Sequence, residues 1–238
     1  VQGETPIEVT VQREAKGDTS TKVRVDLTKA EVMIEAIAWR KAPGRAATFQ
    51  FDAAKGPGVG AAARLELQNV KFVGDDVAIE GWMAVGPDNK LREISFPNFS
   101  VNVVTRLDVQ GKRRMPDNVW EMTAKGKAFD GRDLFRGLFD LGQMSDKIVV
   151  KDKAGLDLDA EIETVIGHSD TNLRNVRIKA SKRHDKLTAL DAKGTLDGNK
   201  PFALELANTP QGRQLRAESL DAGQTFKLAG FYPNAVGG

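Results

Sequence analysis

Cysteine is absent from the 238 residues, which removes disulfides, thiolate nucleophiles and zinc–thiolate centres and leaves the redox compartment open. The only two histidines, His168 in a polar turn and His184 in a Lys/Arg-rich one, do not support assembling a three-ligand metal site or a catalytic triad. No run approaches the ~20 apolar residues of a membrane-spanning helix, and the start carries no signal-peptide pattern. The chain opens at Val1 without methionine and stops at Gly237-Gly238. It therefore reads as a slice of a longer protein, and a missing anchor or leader says little about the parent. An excess of one charge is missing too, since 35 Lys+Arg against 33 Asp+Glu leave a net charge of +2. Nucleic-acid binders show a basic stripe interleaved with aromatics, so none is expected here. The densest basic spot, Lys112 to Arg114, reads as a solvated hairpin tip.

What is present is a long series of strands. Hydrophobic residues make up 40% of the chain, enough for a real core, and nearly all of them alternate with polar ones. Segments 7–11, 23–27, 30–39 and 47–52 read as the first strands, and Leu65–Leu67 against Val70–Phe72 changes parity as a bulge would. Further strands are expected at 77–85, 91–96, 99–109 and 119–128, with turns at Gly86–Lys90, Pro97-Asn98 and Met115–Asn118. After residue 155 the pattern resumes at 156–166, 173–181, 187–196, 202–207 and 214–219. The fold class is mainly β: a long, curved antiparallel meander with one apolar inner face and two short amphipathic helices.

The first helix spans Phe129–Met144, where Leu134, Leu138 and Leu141 recur at helical spacing beside Phe135 and Phe139. Asp130 is its expected N-cap. The second follows Asp221, 91 residues later, and carries Phe226 where the first carries Phe135, a weak internal repeat. The chain divides accordingly into a strand run (1-128), the helix (129-144), a linker (145-155), a second strand run (156-220) and a short helix with a truncated end (221-238).

Constellations with possible chemistry do not converge. GPGVGAAA at Gly56 is followed by a strand where a phosphate-cradling loop needs a helix, so no cofactor is implied. Asp157, Asp159, Glu161 and Glu163 sit about 7 Å apart along one strand face, which suits cross-strand pairing to Arg174, Arg177 and Lys179 better than a metal site. His168, Ser169 and Asp170 read as a polar turn; Trp39, Trp82 and Trp120 as packing or rim residues. No catalytic residue, metal ligand or enzymatic activity is expected.

A long sheet with one apolar face must cover it with a second sheet, a helix, a membrane or an apolar ligand, and two short helices are little cover. A furrow holding acyl chains fits that deficit; a closed sandwich would share the pattern. The expected groove residues are Val101, Val103 and Leu107; Leu134, Phe135, Leu138 and Phe139 from the helix; Leu156, Leu158 and Ile162; Val176 and Ile178; Leu190; and Phe202, Leu204 and Leu206.

Four stretches carry a family likeness: VDLTKAEVMIEAIAWRKAPGRAATFQFD from Val25, AKGKAFDGRDLFRGLF from Ala124, LTALDAKGTLDGNKPFALEL from Leu187 and LRAESLDAGQTFKLAGFYPNAVGG from Leu215. They resemble the AsmA-like superfamily in its YhdP-related branch of large bacterial envelope proteins. That resemblance implies an inner-membrane-anchored parent extending through the periplasm as a curled β-sheet with an apolar groove, of the bridge-like lipid transfer type. Its partners would be lipid acyl chains, the inner membrane through parts of the parent, and other envelope proteins; its role, moving phospholipid or related lipids towards the outer membrane. The alternative is an assembly scaffold for outer-membrane proteins acting through exposed strand edges.

Overall fold

Period-two alternation folds as expected into strands. The computed structural model describes residues 1–13, 19–34, 39–55, 65–139, 154–183, 186–209 and 212–231. In chain order the elements are β1 (Ile7–Arg13), β2 (Thr19–Asp26), β3 (Val32–Ile34), β4 (Trp39–Lys41), β5 (Ala47–Lys55), β6 (Leu65–Gly74), β7 (Val77–Val85), β8 (Leu91–Val101), β9 (Thr105–Arg114) and β10 (Val119–Asp130). They continue with α1 (Arg132–Phe139), β11 (Gly155–Ile166), β12 (Asn172–Arg183), β13 (Lys186–Leu196), β14 (Lys200–Thr209), β15 (Gly212–Ser219) and α2 (Ala222–Leu228). All strands except β3 and β4 belong to one open 13-stranded sheet, ordered as in the chain. The glycine-rich segment at Gly56, His184, and Leu141 to Met144 lie outside the described residues, as do the side chains of Leu138 and Phe139.

Three features depart from the sequence reading. The sheet is mixed: β10 and β11 pair in parallel, from Val119 opposite Gly155 to Asp130 opposite Ile166. Parallel neighbours need a crossover of a dozen residues or more, and the connection containing α1 supplies it. Alternation fixes which face a residue takes but carries no information on strand direction. Second, Pro97 does not end a strand. It lies inside β8, where Ser95 opposes Trp82 and Asn98 opposes Glu80, so the register slips beside Gly81. A bulge tolerates the missing proline N–H. The turn falls instead at Asn102 and Val103, whose φ angles of 54° and 62° are the paired left-handed values of a tight hairpin. Third, the stretch 30–39 is not one strand; β3 and β4 pair with each other. The expected bulge in β6 is present, with Asn69 at φ 50° between Leu67 and Val70.

Two compact units result: Val1–Val103 with Asp108–Arg113, and Val104–Leu107 with Arg114–Gly238. In the first, the register aligns Ile7, Val25, Phe49, Phe72, Ile79 and Phe99 as successive cross-strand partners from β1 to β8. Partners share a face, so this row is one apolar ridge. The β3–β4 hairpin packs on part of it, burying Val32 and Trp39 with Phe72, Val77, Ile79 and Val101. Trp39 meets Phe72 edge-on at 5.2 Å and donates from Nε1 to Asp76 Oδ1 at 3.0 Å. Lys41, 2% exposed, donates from Nζ to the carbonyls of Thr28, Ala42 and Arg45 at 3.2, 2.9 and 2.9 Å. All three of its protons thus have acceptors without a carboxylate. Arg113 is buried, so Lys112 to Arg114 is not the wholly solvated tip expected.

In the second unit, β10 to β15 carry the core. Gly126 of β10 lies so close to β9 that a Cβ there would meet the Arg106 carbonyl oxygen at 2.1 Å, which is why no side chain fits. The helix α1 starts one residue later than the cap expected from sequence. Phe135 N donates to Gly131 O at 2.8 Å, while Asp130 ends β10 and accepts from Arg132 N at 3.3 Å. Asp221, by contrast, caps α2 as expected: its backbone is extended and Oδ1 accepts from Gln224 N at 2.8 Å.

Candidate functional site

The charged face of the second unit explains itself by register. Asp159 opposes Lys179, which opposes Asp191; Glu161 opposes Arg177 and lies 3.8 Å from Lys125. Asp157 accepts from Arg183 Nη2 at 2.9 Å and from Ser181 Oγ at 2.8 Å, and its Oδ1 lies 2.8 Å from Arg183 Nη1, which donates to the Leu156 and Lys182 carbonyls. Arg174 departs from expectation and pairs with Asp197 at 3.6 Å. Among the described residues no group of acidic and histidine side chains is placed to hold a metal. His168 and Ser169 lie on the turn Gly167–Thr171, and His168 Nε2 sits 3.0 Å from the Arg132 carbonyl oxygen.

Three carboxylates of this unit are held below the usual Asp range. For Asp157 the Arg183 bond is the main cause, for Asp130 the Arg132 side chain, and for Asp221 the Gln224 backbone N–H followed by Lys200. A depressed folded value means that the unfolded chain takes up the proton first. The stability these groups contribute is therefore fully present above the unfolded Asp value of about 3.9 and is lost as pH falls through the folded values. Thermal midpoints are expected to stay flat from neutral pH to about 5 and to fall below about 4. A midpoint that holds at pH 3 would contradict this.

The opposite, apolar face holds a continuous concavity. Met122, Leu158, Ala180, Leu190, Leu206 and Leu215 are successive cross-strand partners on β10 to β15. A trough of about 710 Å³ runs over the first five, their chain neighbours completing its lining. That volume is in the ~300–1,000 Å³ range of small-molecule sites. Six strands at ~4.8 Å spacing make the row about 24 Å long, against about 15 Å for one acyl chain, half the ~30 Å hydrocarbon core of a bilayer.

In the neighbouring row, Ala124, Ala160, Ile178, Ala192, Leu204 and Ala217, α1 closes over the middle, at Ile178, Ala192 and Leu204. Leu134 and Phe135 close a residual cavity of only about 30 Å³ over Val176, Ile178, Leu190, Phe202 and Leu204. Phe135 is 4% exposed and Leu134 39%, so the helix seats by its phenylalanine. At the end of α2, Leu228 is buried against Gly167, where a Cβ would come within 2.5 Å of it.

The expected groove residues thus fall into different places. Leu158, Leu190 and Leu206 line the trough. Leu134, Phe135, Val176, Ile178, Phe202 and Leu204, with Leu190 shared, form the packed region under α1, a closed core where an open furrow was expected. Ile162 is buried beside it as the partner of Val176, and Leu156 is half-buried on β11. Leu107, half-buried on β9, lies over Gly126. Val101 belongs to the closed core of the first unit, and Val103 is 73% exposed at its hairpin tip because the turn, not a strand, occupies that position. Sequence reasoning missed Met122 and Ala180. The signal for Met122 was the alternation of Trp120, Met122 and Ala124 along β10; that for Ala180 was its place on the apolar side of β12 with Val176 and Ile178, and the register adds that it opposes Leu158.

Fold and trough define a class: an open, mainly β-sheet protein whose apolar face is part helix-covered and part bare. Comparison with protein-family models, with curated proteins and with solved structures finds no match.

Proposed function

We propose that this chain is a non-enzymatic lipid-handling segment of an AsmA-like bacterial envelope protein, and that its trough takes phospholipid acyl chains in the periplasm. The observation that carries the reading is the apolar row from Met122 to Leu206, in register across five strands and bordering α1, with Met122, Leu158 and Ala180 half-exposed at its open end and Leu190 and Leu206 buried at its floor. Each CH₂ withdrawn from water contributes about 0.8 kcal/mol, so binding needs length and continuity of apolar lining, with few specific polar contacts. The parent's inner-membrane anchor, and transfer towards the outer membrane, follow from the sequence resemblance.

Photoactivatable phosphatidylcholine in mixed micelles is the direct test. Crosslinks are expected at Leu158, Leu190 and Leu206. Leu158→Asp and Ala180→Asp, made singly at half-buried positions so that no two like charges face each other, are each expected to leave the fold intact and to weaken labelling at least tenfold by placing charge in the apolar row. Labelling that ignores these substitutions would overturn the proposal.

A further inference from the structure

Beside the trough, on the side away from α1, Trp120, Leu156, Lys182 and Leu187 are successive cross-strand partners on β10 to β13. Trp120, Leu156 and Lys182 each stand two residues from Met122, Leu158 or Ala180, so this row shares the trough's face about 7 Å away and forms its lip. Local bonds place Lys182 there independently. Ser181 Oγ and Arg183 Nη2 both donate to Asp157 on the charged face, at 2.8 and 2.9 Å, which leaves the residue between them on the other face. From β10 to β13, in the lip and in the rows of Met122 and Ala124, Lys182 is the only charged side chain.

Lys182 is half-buried, yet among the described residues its ammonium meets neither a carboxylate nor a hydrogen-bond acceptor. Asp157, on the other face, is taken by Arg183, Ser181 and, at 3.8 Å, Arg114. A half-buried cation at an apolar lip gives up hydration that only an incoming anion would replace. The backbone at this point is shaped as well. The β12–β13 register slips between Ser181 and Lys182, and the bulge is held by Thr188 Oγ1 donating to the Ser181 carbonyl and Asn208 Nδ2 to the Thr188 carbonyl, both at 2.9 Å. Bulges re-aim side chains in this way beside functional sites. Trp120 adds an apolar ring with a polar N–H, which suits a boundary between acyl chain and water. We propose that Lys182 anchors the head group of the amphiphile whose chain fills the trough: its ammonium pairs with an oxyanion, the phosphate of a phospholipid or the carboxylate of a fatty acid. This assignment rests on acyl binding in the trough and adds a requirement for charge.

The test titrates the 238-residue chain, in neutral detergent, with two matched pairs: dioleoylphosphatidylglycerol against dioleoylglycerol, and oleate against oleyl alcohol. The anionic member of at least one pair is expected to bind about tenfold more tightly, as a charge-assisted contact allows, and the pair that shows the preference tells phosphate from carboxylate. Lys182→Met keeps the apolar stem and removes the charge. It should erase the preference and leave the affinity for the neutral member unchanged, which also shows that the variant is folded. Lys182→Arg should retain the preference. Lys193→Met removes the same charge from the opposite face, where Lys193 pairs with Asp191 at 3.1 Å, and should retain it too. Equal binding within both pairs, a preference that survives Lys182→Met, or one lost equally in Lys193→Met would overturn the anchor and leave acyl binding standing. Binding of no member of either pair would overturn acyl binding in the trough and the anchor with it.

Discussion

Replacing Trp39 with alanine is expected to cost the first unit about 3–5 kcal/mol, the range for truncating a buried tryptophan. The residue is 2% exposed, meets Phe72 edge-on and donates to Asp76, so truncation leaves a void beneath the β3–β4 hairpin and removes a carboxylate's partner. Trp39→Phe separates the two effects, because it keeps most of the ring burial and gives up the hydrogen bond, worth about 0.5–1.5 kcal/mol or somewhat more to a charged acceptor. Urea titration with both variants measures the difference. If Trp39→Ala unfolds at the wild-type midpoint, the hairpin does not cover this core.

The second large effect is expected for Phe135→Ala, again about 3–5 kcal/mol, in the second unit. The cavity beneath Leu134 and Phe135 is only about 30 Å³, so the side chains around Phe135 have little existing space to relax into. An eight-residue helix is also marginal without tertiary packing. Its amides should therefore lose protection from hydrogen exchange before those of β12 to β14. Under the lipid reading, photolabelling should then spread from Leu190 to Ile178 and Phe202 as their cover loosens. Unchanged exchange in α1 would show that its seat is held by something other than Phe135.

Much of this was legible along the chain. Alternation located most strands, the bulge in β6 and the turns at Gly86–Lys90 and Met115–Asn118, because each depends on residues close in sequence. The charged face of β11 was also legible: Asp159 and Glu161 oppose Lys179 and Arg177 as the spacing implied. Asp221 announced its cap for the same local reason. The expected repeat built on Asp130 and Asp221 matches only in part: Asp221 caps α2 while Asp130 ends β10, and the two phenylalanines have different fates. Phe135 is buried and Phe226 is 45% exposed, a difference that depends on what lies opposite each helix and not on the helix itself.

The sequence by itself determined that the chain is mainly β, has one apolar and one charged strand face, and has two short helices. These follow from periods of two and 3.6 and from capping chemistry. Tertiary structure alone decided the rest. Strand direction is invisible to alternation, so the parallel β10–β11 pair and the crossover through α1 had to be seen. Which apolar residues stay uncovered depends on partners far apart in the chain: β3–β4 closes over Val101, α1 closes over Ile178 and Leu204, and the trough remains where Met122, Leu158, Ala180, Leu190 and Leu206 meet.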